Sequence, residues 1–175
     1  MSKVGELNAG RLRVVFQRVG DRIGHSLWFG AGDDARLILA SLEGTGETPW
    51  PASPPLQQLN FEERDGSARV ALLIGMAGSS HWSLSCEADP HTDVLKFDVA
   101  VRVKQTPHQL GSIYRFASDH EGSAGRRLFD ECCEVRAVGH DTHVAMESDL
   151  VLAPTATPQA IPATIQWRYS FATIG

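Results

Sequence analysis

The chain has few cysteines, no long apolar run and no excess of positive charge. The three cysteines, Cys86, Cys132 and Cys133, are an odd number that does not suit a disulfide framework and fits the reducing cytoplasm. No apolar run approaches the ~20 residues that a membrane-spanning helix needs. The N-terminal residues lack the apolar core of a signal peptide. These absences predict a cytoplasmic protein without a membrane partner.

The charge balance and the absence of two sequence motifs argue against further functional classes of protein. The net charge is −5, from 16 basic and 21 acidic residues, whereas nucleic-acid binders carry a basic surplus. Gly30-Ala31-Gly32 precedes no helical pattern that could present N–H groups to a phosphate, and no Gly-x-Ser-x-Gly elbow occurs. We therefore expect no nucleic-acid partner and no cofactor.

A regular alternation of apolar and polar residues is the strongest pattern that is present. It is clearest in a predicted hairpin, where Trp82–Glu87 and Leu95–Lys104 each place apolar side chains on one face. Thr164–Phe171 repeats the pattern in a final strand. About ten such strands and no convincing helix predict an all-β fold, an antiparallel β-sandwich that forms a single domain over residues 1–175.

Two segments depart from this alternation. Ala68–Met76 is predicted to be a strand that is apolar on both faces, with a tight turn before it at 65–67. Glu43–Pro55 holds four of the nine prolines, which prevent a helix or a central strand. We interpret it as a surface connection between sheets. Trp50, which is flanked by prolines, keeps a binding loop open as the alternative.

The segment Arg126–Ala153 is predicted to form a second hairpin, with its two-residue turn at Asp141 and Thr142. In this register Arg136 faces Glu147, which is a plausible ion pair across the strands. Because successive side chains in a strand point to opposite faces, Cys133 is expected in the core and Cys132 on the polar face.

The same register places His140 directly opposite His143. Opposed residues have Cβ atoms about 4.5–5.5 Å apart, a separation that allows two imidazoles to share a metal ion. A third ligand would have to come from Asp141, Asp119 or His120, and no spacing rule supplies it. Two histidines in a solvated turn are therefore the favoured interpretation, with a metal site as the alternative.

A polar sheet face is the second candidate site. His81, His108 and Arg102 could line such a face, and Trp50 could stack against a sugar ring beside it. Trp82 and Trp167 fall on predicted core faces, where a packing role is favoured. The leading hypothesis is a non-catalytic module that binds a small or carbohydrate-like ligand, or a partner protein, on this face.

Two other classes stay open. A sugar-active enzyme, a hydrolase or an epimerase, would need His81, His108, His140 or His143 within ~4 Å of a carboxylate for proton transfer. A structural homo-oligomer would pair an edge strand, or the Leu37–Leu42 run, between chains.

Overall fold

The computed structural model describes residues 2–64, 68–88, 91–118, 124–156 and 158–174. Two antiparallel sheets enclose one hydrophobic core, which confirms the all-β sandwich. The predicted turn at 65–67 lies outside the described residues. The helix is α1 (Ala124–Cys132), and the strands in chain order are β1 (Ser2–Ala9), β2 (Leu12–Val19), β3 (Arg22–Phe29), β4 (Arg36–Ser41), β5 (Leu56–Glu63), β6 (Arg69–Ala77), β7 (Ser80–Ala88), β8 (Val94–Val103), β9 (Ser112–Phe116), β10 (Cys133–Ala137), β11 (Thr142–Met146), β12 (Asp149–Pro154) and β13 (Ala163–Thr173).

The sheets have seven and six strands. Their orders are β1-β2-β3-β4-β9-β12-β11 and β10-β13-β8-β7-β6-β5. In the second sheet β5 to β8 form a meander of consecutive neighbours, as the sequence predicts. Strand β4 lies inside the first sheet between β3 and β9, so the Leu37–Leu42 run is not available for pairing between chains. None of the described helical residues forms a segment long and apolar enough to cross a membrane.

The alternating strands bury the faces that the sequence predicts. In a strand, residues two apart share a face, so one apolar residue in two is enough to cover a core. The inward face of the six-stranded sheet is buried along β7, β8 and β13. Its members are Trp82, Leu84, Cys86, Leu95, Phe97, Val99, Val101, Val103, Ile165, Trp167, Tyr169 and Phe171.

The predicted second hairpin is wrong. Strand β10 pairs with β13 in the six-stranded sheet, and β11 pairs with β12 in the seven-stranded sheet. His143 therefore faces Ala153, and His140 lies on the chain segment that crosses between the sheets. The crossing is anchored by the hydroxyl of Thr142, which donates to the carbonyl of Arg168 and accepts from its N–H, both at 2.8 Å.

The first part of the predicted hairpin Arg126–Ala153 belongs to α1, where no helix was expected. Gly125, Leu128, Phe129 and Cys132 are spaced by three and four residues, which places them on one face of a helix. Cys132 is buried on this face, so the expectation that it points to a polar side is wrong, whereas Cys133 is buried as expected. At Gly125 a Cβ would lie 1.9 Å from the carbonyl oxygen of Ala117, and the helix packs that closely because the side chain is absent.

Candidate functional site

A bulge in the edge strand β5 shapes the candidate site. The pairing of β5 with β6 shifts register between Leu56 and Gln58, and the side chain of Gln57 takes over the missing backbone contacts. Its Oε1 accepts from the N–H of Met76 at 3.1 Å, and its Nε2 donates to the Met76 carbonyl at 3.5 Å. Strand β5 approaches β6 closely here, since a Cβ on Gly75 would lie 1.9 Å from the carbonyl oxygen of Pro55.

The outer face of β6 is apolar and exposed at its end. Ile74 and Met76, two residues apart on that face, are 52% and 45% exposed. Ile74 faces Ser83 of β7, which in turn faces Ala100 of β8, so small side chains form the floor beside the two apolar ones. The result is a groove of about 450 Å³, within the range of about 300–1,000 Å³ that is typical of small-molecule sites.

One end of the groove is basic. The row of cross-strand neighbours there is Met76, His81, Arg102 and Thr164, on β6, β7, β8 and β13. Both His81 and Arg102 are exposed, and the guanidinium of Arg102 donates to the hydroxyl of Thr164 at 3.2 Å. None of the described residues that line the groove is acidic. The groove therefore offers apolar surface next to two nitrogen donors.

Of the residues predicted for the sheet face, the structure brings His81 and Arg102 together and separates the others. Trp50 is half-buried and packs against the hydrophobic core. His108 lines a different, smaller depression of about 170 Å³.

The two histidines of the predicted metal site belong to different segments. His140 is exposed, and its carbonyl accepts from the Thr155 hydroxyl at 3.0 Å, whereas the exposed side chain of His143 lies on β11. Within the described ranges, no three His, Cys, Asp or Glu residues are grouped so that they could hold a metal ion. The suggested third ligands Asp119 and His120 lie outside those ranges.

The enzyme hypothesis requires a carboxylate beside one of four histidines, His81, His108, His140 or His143. In the part of the chain that the structure describes, none of them has a carboxylate oxygen within 4.0 Å of a ring nitrogen.

A buried chain of hydrogen bonds joins the two sheets inside the core. The Nε2 atom of His25 on β3 lies 2.6 Å from the hydroxyl of Tyr114 on β9, which lies 2.7 Å from the hydroxyl of Tyr169 on β13. All three side chains are buried. Burial lowers the pKa of His25 from 6.5 to about 4, so the imidazole is neutral near pH 7. Because solvent does not reach these groups, we assign them to the architecture and not to a site.

A second group of polar side chains, which is partly buried at Ser41 and Glu43, lies where β4 ends. The hydroxyl of Ser41 accepts from the backbone N–H of His25 at 2.8 Å and donates to the carboxyl of Glu43 at 2.6 Å. Burial raises the pKa of Glu43 from 4.5 to about 7, although the Ser41 hydrogen bond and the charge of Arg22 oppose the shift. The guanidinium of Arg22 is itself buried and donates to the carbonyl of Thr45.

Sequence reasoning missed Ile74 and Met76 as site residues, although one signal was present. Ala68–Met76 was predicted to be apolar on both faces, and a sandwich strand has one face in the core. The second apolar face of β6 could therefore have been recognised as a candidate binding surface. Comparison with protein-family models, with curated proteins and with solved structures gives no match for this chain.

Proposed function

We propose that this protein is a non-catalytic binding module that holds a small ligand with an apolar body in the groove on the outer face of the six-stranded sheet. The observation that carries the proposal is the exposure of Ile74 and Met76 side by side above a floor of small side chains. Covering a half-exposed side chain of this size yields about 1 kcal/mol. A ligand that lies along both residues would therefore be stabilised by their burial.

An apolar ligand suits the groove better than a sugar or a partner protein. Sugar rings stack on exposed aromatic faces, and among the described lining residues the tryptophan is Trp82, which is 2% exposed. The volume of about 450 Å³ is that of a small-molecule site. We further propose that the protein is cytoplasmic. Its three cysteines are free and buried, which supports a reducing compartment.

The test is a titration with 1-octanol, a neutral probe with an apolar chain, followed by two-dimensional amide NMR. We expect the largest shift changes at Ile74, Met76 and Ser83. Replacement Ile74→Thr keeps the β-branched shape and removes apolar surface, so it should weaken octanol binding about fivefold.

The matched control is Ile174→Thr, which removes the same surface from another exposed isoleucine that does not line the groove. It should leave the octanol affinity unchanged. Equal weakening by both substitutions, or shift changes centred elsewhere, would contradict the proposal.

A further inference from the structure

The pairing of charges across strands sets the basic end of the groove apart. Where residues with acidic or basic side chains face each other in the described pairs, they are otherwise of opposite sign, which is the stabilising arrangement when both are charged. His81 and Arg102 face each other as two basic side chains. The pairs of opposite sign are Glu63 and Arg69, Glu87 and Lys96, Asp98 and Arg168, and Arg115 and Asp149.

On β7 and β8, the two strands that carry this pair, the acidic residues are distant. Asp98 is the first acidic residue along β8 from Arg102, and four residues of strand span about 13 Å. That distance exceeds the screening length of about 8–10 Å in physiological salt. Asp98 also faces Arg168 and accepts from the amide of Gln166 at 2.6 Å. Neither of the two strands, and none of the described residues that line the groove, therefore places a negative charge next to the two basic side chains.

We propose that the ligand of the groove is an amphipathic anion. Its carboxylate or similar oxyanion lies between His81 and Arg102, and its apolar chain lies along Met76 and Ile74. This inference rests on the proposed function and adds the charge of the ligand to it. The net charge of the protein is −5, which repels an anionic ligand. The local pair of basic side chains offsets this repulsion at the groove.

The test compares octanoate with 1-octanol, which share the apolar chain and differ in charge. Arg102→Gln should weaken octanoate binding about fivefold, the upper end for an exposed ion pair, and should leave octanol binding unchanged. Arg102→Lys keeps the charge and should retain most of the octanoate affinity. Arg127→Gln makes the same change of charge at an exposed helix residue outside the groove and should affect neither probe.

The possible results separate the two proposals. If octanol binds in the groove and Arg102→Gln changes both affinities equally, or neither, the anion inference is wrong and the binding module stands. If neither probe binds there, both proposals are wrong. Wild-type protein gives an independent check that needs no variant, since a rise in salt should weaken octanoate binding and leave octanol binding unchanged. Equal salt dependence for both probes would also overturn the anion inference.

Discussion

His25 and Glu43 shift the pH dependence of stability in opposite directions. The folded state keeps His25 unprotonated down to about pH 4, whereas the unfolded chain binds that proton below 6.5, so His25 makes the protein less stable as pH falls through this range. Glu43 stays protonated in the folded state up to about pH 7 and ionises near 4.5 in the unfolded chain, so it makes the protein less stable as pH rises. Each slope reaches about 1.4 kcal/mol per pH unit, and the two cancel where the ranges overlap.

Replacement of Glu43 should reveal the pH dependence of the free energy of unfolding that comes from His25. We expect Glu43→Gln to give a free energy of unfolding that falls steadily as pH is lowered from 6.5 to 4.5, the range in which the two groups of the wild-type protein compensate each other. Urea denaturation at a series of pH values measures this. Glu47→Gln, an exposed glutamate in the same loop, is the control and should keep the wild-type profile. Identical profiles for Glu43→Gln and the wild type would show that the two shifts do not compensate.

At the scale of the element, the β5 bulge depends on the missing side chain of Gly75. Gly75→Ala would place a Cβ against the Pro55 carbonyl, so β5 or β6 must shift. We expect a loss of about 1–3 kcal/mol in the free energy of unfolding, together with weaker octanol binding in the groove. Urea denaturation and the NMR titration measure the two effects. Ser83→Ala on the facing strand should change stability by less than about 0.5 kcal/mol, and a similar small effect of Gly75→Ala would contradict this account of the bulge.

Local pattern predicted the alternating strands and failed at α1 and at the second hairpin. In Arg126–Ala153, both a helical and an alternating interpretation place Phe129 in the core, so that residue does not distinguish them. The spacing of Gly125, Leu128 and Cys132 by three and four residues distinguishes a helix from a strand, and it was the signal available for α1. The hairpin prediction was wrong because the opposite charges of Arg136 and Glu147 were compatible with a pairing of β10 with β11, the next strand in the sequence. In the structure β10 pairs with β13 instead.

For the whole molecule, the hydroxyl groups of Tyr114 and Tyr169 link the two sheets through one hydrogen bond. Tyr114→Phe removes the hydrogen bonds of the Tyr114 hydroxyl to His25 and Tyr169. Each buried group that is left unsatisfied lowers the free energy of unfolding by about 1–3 kcal/mol. We expect the double replacement with Tyr169→Phe to destabilise by less than the sum of the single ones, because the second change removes a hydroxyl that has already lost its bond to Tyr114. Urea denaturation of the four proteins in the cycle gives the coupling energy. Simple additivity would show that the bond does not couple the sheets.

Which strands share a sheet could not be read from the sequence. Alternation in a strand reports which face is buried, and it is silent about the neighbour on either side. His81 and Arg102 face each other on β7 and β8, two strands that are neighbours in the sequence as well as in the sheet. The register that placed His140 directly opposite His143 was wrong because it depended on a pairing of β10 with β11, strands that lie in different sheets.

The position of β13 between β8 and β10 has a consequence for folding kinetics. The β5–β8 meander closes through short connections, but β13 reaches β8 only after the chain has passed through α1 and four strands of the two sheets. Until then the edge of β8 presents unpaired backbone groups beside a row of valines, Val99, Val101 and Val103, which is a template for pairing with another chain. The folding chain is therefore most exposed to aggregation after the meander has formed and before β13 has docked on β8.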